Sequence, residues 1–406
     1  MLQSLFDKCY NICKASCCSC CCGYGNRLNS IIVVRTRHYK IEKLLKESPL
    51  SFIYLVTALD GGPPPISGAL VSEDTTNDKN KIFVIKRIHC PFGDIESVSY
   101  AMREIENYKK FKNKFIMSCL DSELVQNLDG SKTCHILLPF YPMGSLQDAI
   151  NRHILNGTSF SEAEIIRITI GIAKGLLYLN DPNSRDIPTT EPTNETMSIT
   201  LSLPSTEVFN DYNDDEEGIS PTNESDQLLS NTSNNRDVTK IFTGNSISYA
   251  HRNIKPSNIL FSSDGSQVIS DLSSTSKSNI HLKTGKQILD FKEWIDSCCS
   301  VPFMSPELLD LKMGSKIDEK VDIWSLGCTI YTIILGVSPF EREVQLTGKS
   351  IRMLILSANF TFPEGMERHA SRELIDTIKQ CLQVDPTKRP TINQLLNDLQ
   401  ALQSTV

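Results

Sequence analysis

The stretch His251-Arg252-Asn253-Ile254-Lys255-Pro256-Ser257-Asn258 gathers a histidine, two cations and two carboxamides around one proline, deep in the second half of a 406-residue chain. Taken alone, His251 has a bland reading as a satisfied core histidine, so the weight of the segment depends on its surroundings. Towards the N-terminus the chain first meets residues 180–246, dense in Asn, Asp, Glu, Ser, Thr and Pro and carrying 13 acids against 3 bases. Such a composition cannot bury enough apolar surface to offset chain entropy, and disorder is expected there. Before it, Ser161-Glu162-Ala163-Glu164 forms a capping box ahead of an apolar-periodic run over 165–179. Helical character extends back to Gly144. Earlier still, the periodicity changes. Residues 39–45, 52–58, 81–88 and 135–141 read as strands, with Gly61-Gly62-Pro63-Pro64-Pro65 opening a loop insertion between two of them. Between the strands, Val98, Ala101, Met102, Ile105 and Tyr108 share one face of a helix over 95–111. A strand-rich first part therefore precedes a helix-rich second part, and no internal repeat is present.

With 40% hydrophobic and 22% charged residues, the chain is able to bury a sizeable core. The formal charge of -7 is concentrated in the acidic insertion, which contributes -10 and leaves the remainder near +3. That balance gives no nucleic-acid-binding surface. The longest apolar run, 323–337, contains Ser325, Gly327, Cys328 and Thr329 and is too short for a membrane span, so a buried core helix is expected.

Further landmarks keep order with the opening stretch: Asp271-Leu272-Ser273, Ser305-Pro306-Glu307, Asp322-Ile323-Trp324-Ser325-Leu326-Gly327 and Asp385-Pro386-Thr387-Lys388-Arg389-Pro390. Upstream stand Val84-Ile85-Lys86 and, on the following helix, Glu104. The series resembles that of eukaryotic protein kinases, whose catalytic loop reads His-Arg-Asp-x-Lys-Pro-x-Asn in the serine/threonine class. Arg103-Glu104-Ile105-Glu106-Asn107-Tyr108, Gly144-Ser145-Leu146-Gln147-Asp148 and Ser338-Pro339-Phe340-Glu341-Arg342-Glu343 narrow the resemblance to the Numb-associated kinase family, in its fungal, acylated branch. The implied fold is α+β and two-lobed, with a small mainly β N-lobe bearing one regulatory helix and a larger helical C-lobe. The expected organisation is an anchoring N-terminus over 1–30, an N-lobe over 31–141, a C-lobe over 142–179 and 247–406, and the acidic insertion over 180–246.

The resemblance also implies roles. Lys86 with Glu104 would orient ATP, whose adenine would lie among Leu45, Ile53, Val84, Phe140 and Tyr141; Asn258 and Asp271 would hold magnesium, and Lys255 would face the transferred phosphate. Departures from the family pattern concentrate on the same chemistry. Asn253 replaces the aspartate that accepts or orients the substrate hydroxyl proton, and a carboxamide cannot act as that base. Lys46, Ser48 and Ser51 fall on the three glycines of the phosphate loop, where Pro49 also removes an N–H. Val84 replaces a small alanine and Ser273 a glycine. Two readings follow: a serine/threonine kinase with weak or lost transfer, and a pseudokinase serving as a scaffold for a protein partner.

Seven of the fourteen cysteines fall in the first twenty-two residues. No secretory signal accompanies them, which argues for a reducing compartment rather than a disulfide framework. Zinc sites pair C-x-x-C units across a loop, and the second unit is absent. S-acylation of Cys17, Cys18, Cys20, Cys21 and Cys22 is the better-supported reading, since the resemblance implies it and Leu2, Leu5, Phe6, Cys9, Ile12 and Cys13 could form an adjoining amphipathic helix. The resemblance places a monomer on the cytoplasmic face of the vacuolar membrane.

Overall fold

The computed structural model describes residues 30–48, 50–60, 82–185, 247–366 and 370–405. The cysteine cluster, the 2–13 segment, Pro49, the Gly61 to Pro65 stretch and all of the acidic insertion beyond Arg185 lie outside them, up to Asn245 and Ser246. Two compact units emerge. One comprises the described residues of Met1–Gly144 with Leu260–Ser273, and the other those of Ser145–Ile259 with Ser274–Val406.

Among its described residues, the first unit is built on a six-stranded antiparallel sheet with one α-helix. Strands β1 (Ile31–Val34), β2 (Arg37–Glu47), β3 (Ser51–Ala58), β4 (Ile82–Cys90), β5 (Asp121–Gln126) and β6 (Lys132–Pro139) lie in the order β1-β2-β3-β4-β6-β5. Side chains alternate between a buried and an outer face, as a pleated backbone requires. Tyr39, Ile41, Val56, Phe83, Ile85 and Leu137 fill the buried face. Full burial of aliphatic side chains such as Val56 and Ile85 contributes about 1.5–3 kcal/mol each. The opposite face of β4 carries Val84 and Lys86. β1 lies ahead of the first strand expected from sequence, and its four consecutive β-branched residues account for it. Helix α1 (Ile95–Lys110) starts where Asp94 accepts the Ser97 N–H, and it buries Glu104 along with Ala101, Ile105 and Tyr108.

The second unit is mostly helical: α2 (Leu146–Asn156), α3 (Glu162–Asn180), α4 (Gly285–Cys298), α5 (Pro306–Leu309), α6 (Lys320–Leu335), α7 (Pro339–Thr347), α8 (Ile351–Leu356), α9 (Arg372–Cys381) and α10 (Ile392–Gln403). The Ser161–Glu164 capping box is present at α3, and α2 opens on a second between Ser145 and Asp148. α3 packs on α10 and α6 on α9. At that second contact the backbones come so close that a Cβ on Gly327 would lie 2.6 Å from the Cys381 Cβ. α6 is buried along nearly its whole length, as its apolar composition implies. Among the described residues no single helix is long and apolar enough to cross a membrane.

Candidate active site

In the first unit, three sequence-distant charges converge. Lys86 Nζ lies 2.7 and 2.8 Å from the two carboxylate oxygens of Glu104, and 3.1 Å from Asp271 Oδ1. β4 supplies the lysine and α1 the glutamate, whose side chain is 2% exposed. Burial works against the lysine's charge, but Asp271 and Glu104 outweigh it and hold the ammonium above its ordinary pKa. Burial likewise opposes ionisation of Asp271, yet Lys86 and the Ser273 hydroxyl keep its carboxyl well below the usual range. Asp271 has φ 62, a left-handed conformation unusual outside glycine. Ser273 donates to Asp271 Oδ1 at 2.8 Å. Asn107 Nδ2 fixes the next residue by donating to the Leu272 carbonyl at 2.9 Å.

The β2–β3 hairpin is closed on itself. The Ser48 N–H donates to the Ser51 carbonyl at 2.8 Å, the Ser51 N–H returns to the Ser48 carbonyl at 3.3 Å, and the two hydroxyls meet at 2.6 Å. Strand register sets Lys46 opposite Ile53 and Ile53 opposite Lys86. Val84 lies between Leu55 and Leu138 on the same face. Leu45 sits at a register shift of β2 and is exposed, while Phe140 and Tyr141 follow β6 and are half-buried. Burial pushes the Tyr141 phenol up to about 12.

In the second unit, Asp322 at the start of α6 anchors the catalytic-loop backbone. Its carboxylate accepts the N–H groups of His251 at 2.8 Å and Arg252 at 2.7 Å, together with Asn180 Nδ2 at 3.0 Å. Arg252 also has a left-handed backbone, φ 63. Its guanidinium donates to the Ala250 carbonyl, the Ser276 hydroxyl and the Lys277 carbonyl at 3.1, 2.9 and 2.6 Å, and lies over the Trp294 ring. Asn253 Nδ2 donates to the Cys298 carbonyl at 2.8 Å. Lys255 Nζ reaches the Ser300 hydroxyl at 2.5 Å, and Asn258 Nδ2 donates to the Asn253 carbonyl at 2.9 Å. Beyond the loop, Arg389 forms a bidentate pair with Glu307 at 2.6 and 2.8 Å and covers Trp324.

A model of the protein kinase domain matches residues 241–399. Serine/threonine-protein kinase ENV7 of Saccharomyces cerevisiae is 40% identical over 403 residues, 99% of this chain and 100% of the relative. The chain belongs to the serine/threonine protein kinases. Serine/threonine-protein kinase ppk13 of Schizosaccharomyces pombe is 30% identical to this kinase over 91% of the chain and 92% of the relative, and human serine/threonine-protein kinase 16 is 25% identical over 95% of each.

The kinase thus carries, within one unit, the Lys86–Glu104–Asp271 cluster and, within the other, the Asn253–Lys255–Asn258 loop. Several contacts escaped the sequence reading. Ser300 and the Cys298 carbonyl lie 45 residues from their partners. Helix α4, between Asp271 and Glu307, has its own signal in the capping box of Thr284 and Gln287 and in the buried Phe291, Trp294 and Ile295.

Proposed function

We propose that this kinase acts on protein serine and threonine side chains at the vacuolar membrane, with phosphoryl transfer slowed far below the family's ordinary rate. The observation that carries the reading is Asn253. Its carboxamide is spent as a donor to the Cys298 carbonyl, and neither of its atoms takes up a proton. In the transfer, the substrate oxygen bonds to the γ-phosphorus as the bond to the β–γ bridging oxygen breaks, and ADP departs. Without a carboxylate at 253, the hydroxyl proton must leave on an oxygen of the transferred group.

The cluster around Lys86 fits ATP and magnesium. Lys86 is positioned by Glu104 to meet the α- and β-phosphates. Asp271 Oδ1 is engaged by Lys86 and Ser273, whereas Oδ2 has no hydrogen-bond partner among the described residues and offers the hard oxygen that magnesium prefers. In the other unit, Asn258, whose Nδ2 donates to the Asn253 carbonyl, is a magnesium donor only as the family resemblance implies. Magnesium bound there would neutralise charge on the phosphates.

One observation favours the second reading, a pseudokinase scaffold. The Ser48 and Ser51 N–H groups, which a phosphate loop would aim at the nucleotide, are paired with each other's carbonyls. Thermal shift with magnesium and ATP separates the readings: a raised Tm supports the kinase, an unchanged one the scaffold. Peptide phosphorylation should run at about a thousandth of an ordinary kinase or less, because a general base contributes about 10²–10⁴-fold.

Placement on the membrane is supported by the resemblance to the Numb-associated family and by Cys17, Cys18, Cys20, Cys21 and Cys22. One acyl chain binds marginally and two or more bind stably, so single serine substitutions should matter little. Replacing all five should release the protein to the cytosol, and retention in the membrane fraction would end the acylation reading.

A further inference from the structure

Asn253 is 3% exposed, and the two ends of its side chain have different surroundings. Nδ2 donates to the Cys298 carbonyl, whereas Oδ1 is buried and has no hydrogen-bond partner among the described residues. The acceptor decides which end is which. A carbonyl accepts only from a donor, and the reversed carboxamide would set two oxygens 2.8 Å apart. Aspartate, ionised, has no donor to offer.

The contact does not stand alone. Two residues along the loop, Lys255 donates to Ser300, two residues along the partner segment. The catalytic loop therefore holds the exit of α4 at two points of matching spacing. Its far end is fixed as well: the Cys299 N–H closes α4 on the Ile295 carbonyl, and the Cys298 thiol donates to the Trp294 carbonyl at 3.0 Å. The loop side is equally constrained, because the Asn253 N–H donates to His251 Nδ1 at 3.2 Å and its carbonyl accepts from Asn258. Neither backbone is free to retreat from a repulsive contact.

We propose that Asn253 is a positioning residue selected for its amide: it ties the catalytic loop to the end of α4 through the Cys298 carbonyl. On this account position 253 is not a decayed base that one substitution repairs. The α4 exit is arranged around a donor, and an aspartate there loses the tie. The comparison of kcat values rests on the reading of the chain as a slow kinase; the tie does not.

The experiment compares full-length wild type with Asn253→Asp and Asn253→Ala, measuring Tm from pH 4.5 to 8 and peptide phosphorylation with magnesium and ATP. At pH 8 the Asp variant should melt about 4–10 °C below wild type, the size expected when a buried charged group faces a carbonyl unpaired. The gap should narrow on acidification, since a protonated carboxyl can donate to the Cys298 carbonyl. The sign follows from linkage: burial and the facing oxygen raise the folded-state pKa of an aspartate here, so its stability is retained at low pH and lost as pH rises. Asn253→Ala should show a smaller gap that does not change with pH. The kcat of Asn253→Asp should be at or below that of wild type. An Asp variant as stable as wild type at pH 8 overturns the tie, and a tenfold or greater gain in kcat would show a decayed base that one substitution repairs. Absence of transfer in all three proteins would defeat the slow-kinase reading, while the Tm series would still decide the tie.

Discussion

Replacing Lys86 with methionine removes the one cation that, among the described residues, contacts Glu104 and Asp271, while keeping the length of the side chain. The lysine side chain is 12% exposed, Glu104 2% and Asp271 26%, so little solvent remains to screen the two carboxylates once the ammonium has gone. Breaking a buried pair by removing one partner costs about 3–5 kcal/mol. At roughly 2–4 °C per kcal/mol for a unit of this size, Tm should fall by about 6–20 °C at neutral pH. The loss should depend on pH. With Lys86 present, the Asp271 carboxyl is held low, and its stabilisation disappears only as pH falls below the ordinary aspartate range. Without Lys86, two neighbouring carboxylates share a raised pKa, and the folded variant gains stability as pH falls and one of them protonates. The gap between wild type and Lys86→Met should therefore shrink from pH 7 towards pH 4. Differential scanning calorimetry across that range measures it. A gap of less than about 1 kcal/mol, or one independent of pH, would contradict the placement of Lys86 between two ionised carboxylates.

His135 is 9% exposed, neither ring nitrogen has a hydrogen-bond partner among the described residues, and burial lowers its pKa from 6.5 to about 4. Wild type should accordingly lose up to about 3 kcal/mol of stability between pH 6.5 and 4, and a His135→Leu variant should lose less over the same interval in urea titrations. Gly327→Ala should cost about 1–3 kcal/mol by overpacking α6 against Cys381 and Leu382, read as a lower urea midpoint. Arg389→Leu would leave Glu307 without its bidentate partner and uncover Trp324, lowering Tm and shifting tryptophan emission to the red. Deletion of residues 189–237 should leave Tm nearly unchanged, given their charge and low hydrophobicity; loss of cooperative unfolding would show that they support the core.

What the sequence disclosed and what it hid separate along physical lines. The Ser161 capping box is a local signal, complete within four residues, and was legible as such. Lys86 with Glu104 and Glu307 with Arg389 became legible because each belongs to a landmark of fixed chemistry, although 18 and 82 residues separate the partners. Asn253 was visible as a departure but not as a contact: nothing near position 253 announces that its amide will meet a carbonyl 45 residues away. Ser273 was similarly read as a lost glycine, whereas its hydroxyl holds Asp271. Two of the three missing hairpin glycines are replaced by serines, Ser48 and Ser51, that bond across the turn. β1 is hard to read because four residues give too short a window for periodicity, whereas α4 carries a legible local signal in the capping box of Thr284 and Gln287.

Steady-state phosphorylation of a serine- or threonine-containing peptide by purified full-length protein, with magnesium and saturating ATP and with Lys86→Met as the blank, tests the central claim most directly. Transfer should exceed the blank with a turnover of about a thousandth of the family range or less, and a turnover of about 1–100 per second would contradict a slowed transfer.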